Sequence, residues 1–178
     1  MRSDVDSPAS RLTQLGLLIA LAASLQVLET ILPRPAPWLR LGLGNALVLV
    51  ALLRWGVREA VWVAVGKVLL GGLLGGTLFG PAFLLAVGGT SAAAAVMVVA
   101  VRLAPPLGCA GISVFGSVAH VLTQLALARY IVLRSPALWA LAPLLGSTAV
   151  LSGCITGVLA HRVLRLLAPT ARTSPPII

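Results

Sequence analysis

Acidic residues are almost missing from this 178-residue chain: four Asp+Glu stand against thirteen Lys+Arg, and charged residues of both signs reach only 10%. A water-soluble domain carries about a quarter of its residues as charges, so a soluble globular fold is excluded. Asp4 and Asp6 lie in the polar first ten residues and Glu59 stands beside Arg58, which leaves Glu29 as the one acid well inside an apolar run. No aspartate pair exists to hold magnesium on a diphosphate. No phosphate loop exists either, because Lys67 precedes the glycines it would have to follow. Ser-His-Asp and Cys-His sets are also missing, so enzyme chemistry by this chain alone is not expected. Cysteine is scarce: Cys109 and Cys154 fall in or beside apolar runs, match no metal spacing and give no disulfide framework. Neither a metal site nor a cofactor is expected.

What fills the chain is apolar: 59% of it is hydrophobic, with a mean hydropathy of +1.06. The runs approach the ~20 residues that cross a hydrocarbon core as a helix. They lack the polar–apolar alternation of a barrel wall and are about twice too long for one. Backbone groups in lipid then require helices. Six spans are expected: Leu12–Leu32, a short Leu41–Leu53, Glu59–Phe79, Ala82–Val101, Gly111–Leu133 and Leu138–Leu167, the last emerging near His161, Arg162 and Arg165. The fold class is an all-α polytopic bundle of six transmembrane helices over residues 12–167, with tails 1–11 and 168–178. A cleavable leader is not expected, since its apolar part would be shorter and end in a small-residue cleavage site. Pro33, Pro35 and Pro37 make the first loop stiff.

The net charge of +9 would suggest nucleic acid on a soluble protein. Here the arginines sit at the ends of apolar runs, where they read as orientation signals and headgroup contacts, and no nucleic-acid partner is expected. With the N-terminus inside, Arg2, Arg11, Arg54, Arg58, Arg102, Arg162, Arg165 and Arg172 fall inside, against Arg34, Arg40, Arg129 and Arg134 outside. That asymmetry places both termini in the cytoplasm of a bacterial-type inner membrane. Trp38 and Trp139 then mark the outer interface, Trp55 and Trp62 the inner one.

Polar groups inside the spans carry the functional signal, because each is costly unless partnered. Lys67 sits near the centre of the third span and Glu29 in the outer third of the first. Two readings stand for them: an ion pair locking the two spans, or a polar cavity in which Lys67 meets an anionic ligand. His120 and Gln124 are four apart and share a helical face. Asn45 opens the second span, and Thr77 lies near the outer end of the third. With Gln26 they form a polar set in the outer half of the bundle, open to interhelical bonding as well as to a ligand. Gly16, Ala20 and Ser24 recur every fourth position on the first span, a stripe that packs internally or docks a partner subunit. Gly66, Gly71-Gly72, Gly75-Gly76 and Gly88-Gly89 let backbones approach closely.

The segments LGLGNALVLVALL (Leu41–Leu53), LLGGLLGGTLFGPAFLLAVGG (Leu69–Gly89), GISVFGSVAHVLTQLALA (Gly111–Ala128) and LSGCITGVL (Leu151–Leu159) resemble the Gx transporter family, whose members also carry the description heptaprenyl diphosphate synthase component I. The resemblance implies a fold like the substrate-binding S-components of energy-coupling-factor transporters: six helices, a ligand pocket opening outward, a first loop as gate and a small-residue motif that docks a coupling subunit. Asn45, Lys67, His120 and Gln124 would line the pocket, Pro33–Trp38 would be the gate, and Gly16, Ala20 and Ser24 the docking stripe. A small polar or anionic ligand and an energising ATPase partner would follow. The family's other description implies instead an accessory, non-catalytic subunit in prenyl diphosphate synthesis. A scaffold for a membrane redox complex is a third possibility.

Overall fold

The computed structural model describes residues 8–31, 42–103 and 107–167. The expected gate at Pro33–Trp38, the interfacial Trp38, the arginines Arg34 and Arg40 and the C-terminal tail lie outside the described residues, as do residues 1–7 of the expected N-terminal tail, while its residues 8–11 belong to the first helix. Six α-helices follow in order: α1 (Pro8–Ile31), α2 (Asn45–Arg54), α3 (Val57–Leu74), α4 (Pro81–Leu103), α5 (Cys109–Leu127) and α6 (Ala142–Leu167). A π-helical turn, Ala128–Val132, prolongs α5, and a 3-10 turn, Pro136–Leu141, leads into α6.

The six are not equivalent spans. Among the described residues, four segments are long and apolar enough to cross a membrane: Ala9–Glu29, Pro81–Leu103, Cys109–Val132 and Pro136–Leu167. The expected third span stops five residues early, at Leu74, because Gly75-Gly76 follows and Gly76 takes φ 62°. It has 18 residues and carries Arg58, Glu59 and Lys67. The expected second span contracts as well. Its helix begins at Asn45, after Gly42 at φ 79°, and has only 10 residues, about 15 Å at 1.5 Å per residue. That is half of a ~30 Å hydrocarbon core.

Helix α2 is nonetheless the centre of the molecule. Every residue from Asn45 to Leu52 is buried, and α1, α3, α4, α5 and α6 all pack on it. A helix apolar on all sides has no water-facing stripe to offer, so burial on every side is the arrangement its sequence permits. The bundle exterior is apolar too, with Leu17, Leu73, Leu151 and Ile155 more than half exposed. A surface of that kind suits lipid rather than water, and the chain is a helical membrane protein.

Small residues set the closest seams. Helices α5 and α6 run antiparallel. A side chain on Gly153 would meet the Val114 Cα at 2.5 Å, and one on Gly157 the Ala110 Cα at 2.4 Å. Between these contacts Ser113 Oγ and Thr156 Oγ1 share a buried hydrogen bond of 2.6 Å. Helices α4 and α5 meet where Met97 lies over Gly116, and His120 and Gln124 over Gly89. The alternation of helix directions gathers Arg11, Arg54, Arg58, Arg102, Arg162 and Arg165 at one end of the bundle, where Arg11 bridges Glu59 and ties α1 to α3. Arg129 and Arg134 lie at the opposite end.

Candidate functional site

The N-terminus of α2 opens about 14 Å from Arg54, nine residues at 1.5 Å each, which is mid-depth in the bundle. The lead-in Gly42-Leu43-Gly44 makes it fit. A side chain on Gly44 would stand 2.9 Å from the Ala22 carbonyl oxygen and 3.6 Å from Lys67 Nζ, so the α2 lead-in is wedged between α1 and α3. Gly42 has φ 79°, and a side chain there would meet Asn45 Nδ2 at 2.9 Å and His120 Cδ2 at 3.6 Å. Only glycine satisfies the close approach and the positive φ together.

Around this lead-in a hydrogen-bonded chain crosses three helices. Lys67 Nζ, on α3, donates to Asn45 Oδ1 at 2.5 Å. Asn45 Nδ2 lies 3.1 Å from His120 Nδ1, on α5. The donor roles follow from chemistry. A lysine ammonium only donates, so Asn45 must turn its oxygen to Lys67 and its NH2 to the imidazole. Nδ1 then accepts, and the proton of a neutral ring resides on Nε2. On the other flank the Leu43 backbone N–H donates to Glu29 Oε1, on α1. Two opposite formal charges thus converge on four consecutive residues, Gly42 to Asn45.

Five residues singled out from the sequence are brought together in the bundle interior: Glu29, Asn45, Lys67, His120 and Gln124 are each at most 3% exposed. His120 and Gln124 share one face of α5, as their spacing requires, and α4 rests on that face at Gly89. Thr77 does not join them. It lies in the turn after α3, half-buried, with its hydroxyl unpartnered among the described residues. Gln26 does join: its side chain lies against Gly71, one turn beyond Lys67, and its Nε2 is buried and unpartnered among the described residues. Thr90, beside Gly89 and buried, was not singled out and also keeps a hydroxyl unpartnered among the described residues. A lone Thr in an alanine-rich run carries no periodic signal, so only its position across from Ala64 and Val68 reveals it. It reaches a lipid-side cleft of about 140 Å³ between α3 and α4, lined otherwise mainly by alkyl and phenyl groups. Lys67, Asn45 and His120 line neither this cleft nor the two apolar ones near the opposite end.

The stripe Gly16, Ala20, Ser24 faces outward: all three are exposed, and nothing stands within 4 Å of where a Gly16 side chain would be. Among the described residues no group of three His, Cys, Asp or Glu side chains gathers.

No curated protein and no solved structure matches the chain. A family profile does match, over residues 18–163, from the buried face of α1 to the last turns of α6. This covers the whole polar constellation, and the chain belongs to the family described as heptaprenyl diphosphate synthase component I.

Proposed function

We propose that the chain is the small-molecule binding subunit of a membrane transport system, with Lys67, Asn45, His120, Gln124 and Glu29 at its binding site. The observation that supports this best is the charged, hydrogen-bonded chain at mid-depth, set at the N-terminus of a half-length buried helix. Half-helices that begin inside the membrane turn positive dipole ends and backbone N–H groups toward the anionic parts of a substrate. A scaffold has no need of such a group: placing Lys67 in the interior costs a few kcal/mol on insertion scales. Alkyl packing would hold the helices equally well. The outward stripe Gly16, Ala20, Ser24 serves a partner helix in this reading, and that partner brings the energy source. The arginine-rich end faces the cytoplasm.

A second reading draws on the family description. A membrane component of prenyl diphosphate synthesis would meet a diphosphate headgroup, and the arginine-rich end offers cations suited to one. The two readings separate in one experiment. Native mass spectrometry of detergent-purified protein should show a retained small molecule, and Lys67→Met should reduce its occupancy several-fold. Repeated preparations without a retained molecule, together with no thermal shift from vitamins and flavins, would sink the transport reading. A shift from prenyl diphosphates that ignores Lys67→Met but is lost when Arg162 and Arg165 are replaced by Gln would establish the second.

A further inference from the structure

At the end of the bundle opposite Arg54 and Arg162, α5 does not stop as an α-helix. The Leu133 N–H donates to the Ala128 carbonyl oxygen at 2.7 Å, and Ala128–Val132 form a π-helical turn. Such turns are rare and recur at functional sites. Arg134 then takes φ 48°, a left-handed conformation that helix ends usually give to glycine. The Arg129 guanidinium lies 4.9 Å from the centre of the exposed Tyr130 ring, a cation–π contact that holds it at the bundle surface. Its Nε is buried and unpartnered among the described residues. Neither Arg129 nor Arg134 has a carboxylate partner among them: Arg11 takes Glu59 at the other end, and Glu29 is buried against Leu43.

Two apolar clefts open beside the same turn. One, of about 410 Å³, follows α5 from Tyr130 past Ala126 to Leu122, with Trp139 at its side. The other, of about 590 Å³, follows α4 from Pro81 to Val87, with Val132 in its wall. Ile131 lines both, half exposed, and divides them. At 1.5 Å per residue the clefts reach inward about 12 Å and about 9 Å. That lies within the ~15 Å that one leaflet contributes to a ~30 Å hydrocarbon core. Tyr130 joins the first cleft to Arg129, and Arg134 follows Val132 of the second by two residues. Cations therefore stand at the head, Tyr130 and Trp139 sit where interfacial aromatics belong, and two apolar troughs run inward from the same end. We infer that this end of the bundle holds one anionic two-chain phospholipid of its leaflet, its phosphate on Arg129 and Arg134 and its acyl chains on either side of Ile131. Guanidinium groups bind phosphate oxygens through paired N–H donors. A zwitterionic headgroup brings its own cation to its phosphate, so two arginines without carboxylates favour the anionic one. A second copy of this chain docked through the same face would set arginine against arginine. This inference stands independently of the small-molecule reading above.

The test titrates the delipidated full chain with phosphatidylglycerol and phosphatidylcholine of identical chains, and with one-chain lysophosphatidylglycerol, and follows the tightest adduct by native mass spectrometry. The unsubstituted protein should take up phosphatidylglycerol about five-fold or more tighter than phosphatidylcholine, the weight of one basic residue at a membrane surface. It should also hold it tighter than the one-chain lipid. Joint replacement by Arg129→Gln and Arg134→Gln should bring the headgroup ratio to about one, whereas Arg58→Gln with Arg102→Gln, at the other end, should leave it unchanged. Ala126→Phe, which fills the α5 cleft, should weaken both two-chain lipids alike and keep their ratio. Equal binding of phosphatidylglycerol and phosphatidylcholine by the unsubstituted protein overturns the inference, whether or not any variant folds. So does a one-chain lipid that binds as tightly as its two-chain parent, or a ratio that survives the loss of Arg129 and Arg134. A dimer that excludes lipid from the chain would show that a second copy covers the clefts, and the phospholipid would be wrong.

Discussion

Asn45 is the joint through which α3 and α5 speak to each other, and replacing it with alanine isolates what the joint is worth. Asn45→Ala removes both halves of the amide. Lys67 Nζ loses the oxygen now 2.5 Å away, and His120 Nδ1 loses the NH2 at 3.1 Å. A hydrogen bond to a charged group contributes about 1.5–3 kcal/mol. A neutral interhelical bond in a membrane averages about 0.6 kcal/mol. The expected loss is therefore about 2–4 kcal/mol, at the upper end of single substitutions. Asn45→Asp is the informative partner. Its carboxylate still accepts from Lys67 but cannot donate to Nδ1, so the ring must move its proton from Nε2 to Nδ1 and become the donor. Most of the stability should survive, and the tautomer should invert. Equilibrium unfolding in mixed micelles gives the first quantity, and 15N shifts of the His120 ring give the second. An Asn45→Ala loss below about 0.5 kcal/mol, less than the neutral average, would refute the reasoning. So would a proton on Nδ1 in the unsubstituted protein, which would break the assignment of donor and acceptor roles.

Two further outcomes follow from the seams. Gly157→Ala puts a methyl group 2.4 Å from the Ala110 Cα and 2.9 Å from the Cys109 carbonyl oxygen, both backbone atoms that move only with the helix. It should cost at least the upper part of the 1–3 kcal/mol typical of overpacking, whereas Gly16→Ala, with nothing within 4 Å, should leave unfolding of the isolated chain unchanged within error. Gly89→Ala sets its methyl 2.9 Å from His120 Nδ1, His120 Cε1 and Gln124 Cγ. It should cost about 1–3 kcal/mol and also lower the occupancy of any retained molecule in native mass spectra, because the imidazole it displaces is the one bonded to Asn45.

Much of the site was legible because lipid makes polarity conspicuous. Among alkyl side chains a lysine, a glutamate, a histidine and two glutamines stand out, and the four-residue spacing of His120 and Gln124 already places them on one face. Depth was harder. The run Leu41–Leu53 is apolar enough for a span, and composition does not say whether such a run faces lipid or fills the middle of a bundle. The answer lies in backbone dihedrals: Gly42 at φ 79° turns the chain just ahead of the helix, which starts at Asn45. The same blindness affected the third span, whose apolar letters run on to Phe79 although Gly76 turns the chain after Leu74. Thr77 was included with the polar set because of that overlong helix. Once the helix ends early, its hydroxyl belongs to a turn.

Two small-residue stripes look alike as letters and separate in space. Gly16, Ala20 and Ser24 on α1 and Gly153 and Gly157 on α6 both repeat every four positions, and both satisfy the rule that small residues let helices approach. What decides between them is the opposite face of each helix. Helix α1 turns Ala22, Gln26 and Glu29 inward, a face committed to the polar cluster and the α2 lead-in, so its small stripe is left pointing outward. Helix α6 has no such commitment. Its inward face is Ser152, Gly153, Thr156, Gly157 and Ala160, and closing on α5 through those glycines brings Thr156 within reach of Ser113. A helix that must present polar side chains to the interior spends that face on them. Its small residues are then left on the outward face, and this link between the polar cluster and the outward stripe runs through a single helix, α1.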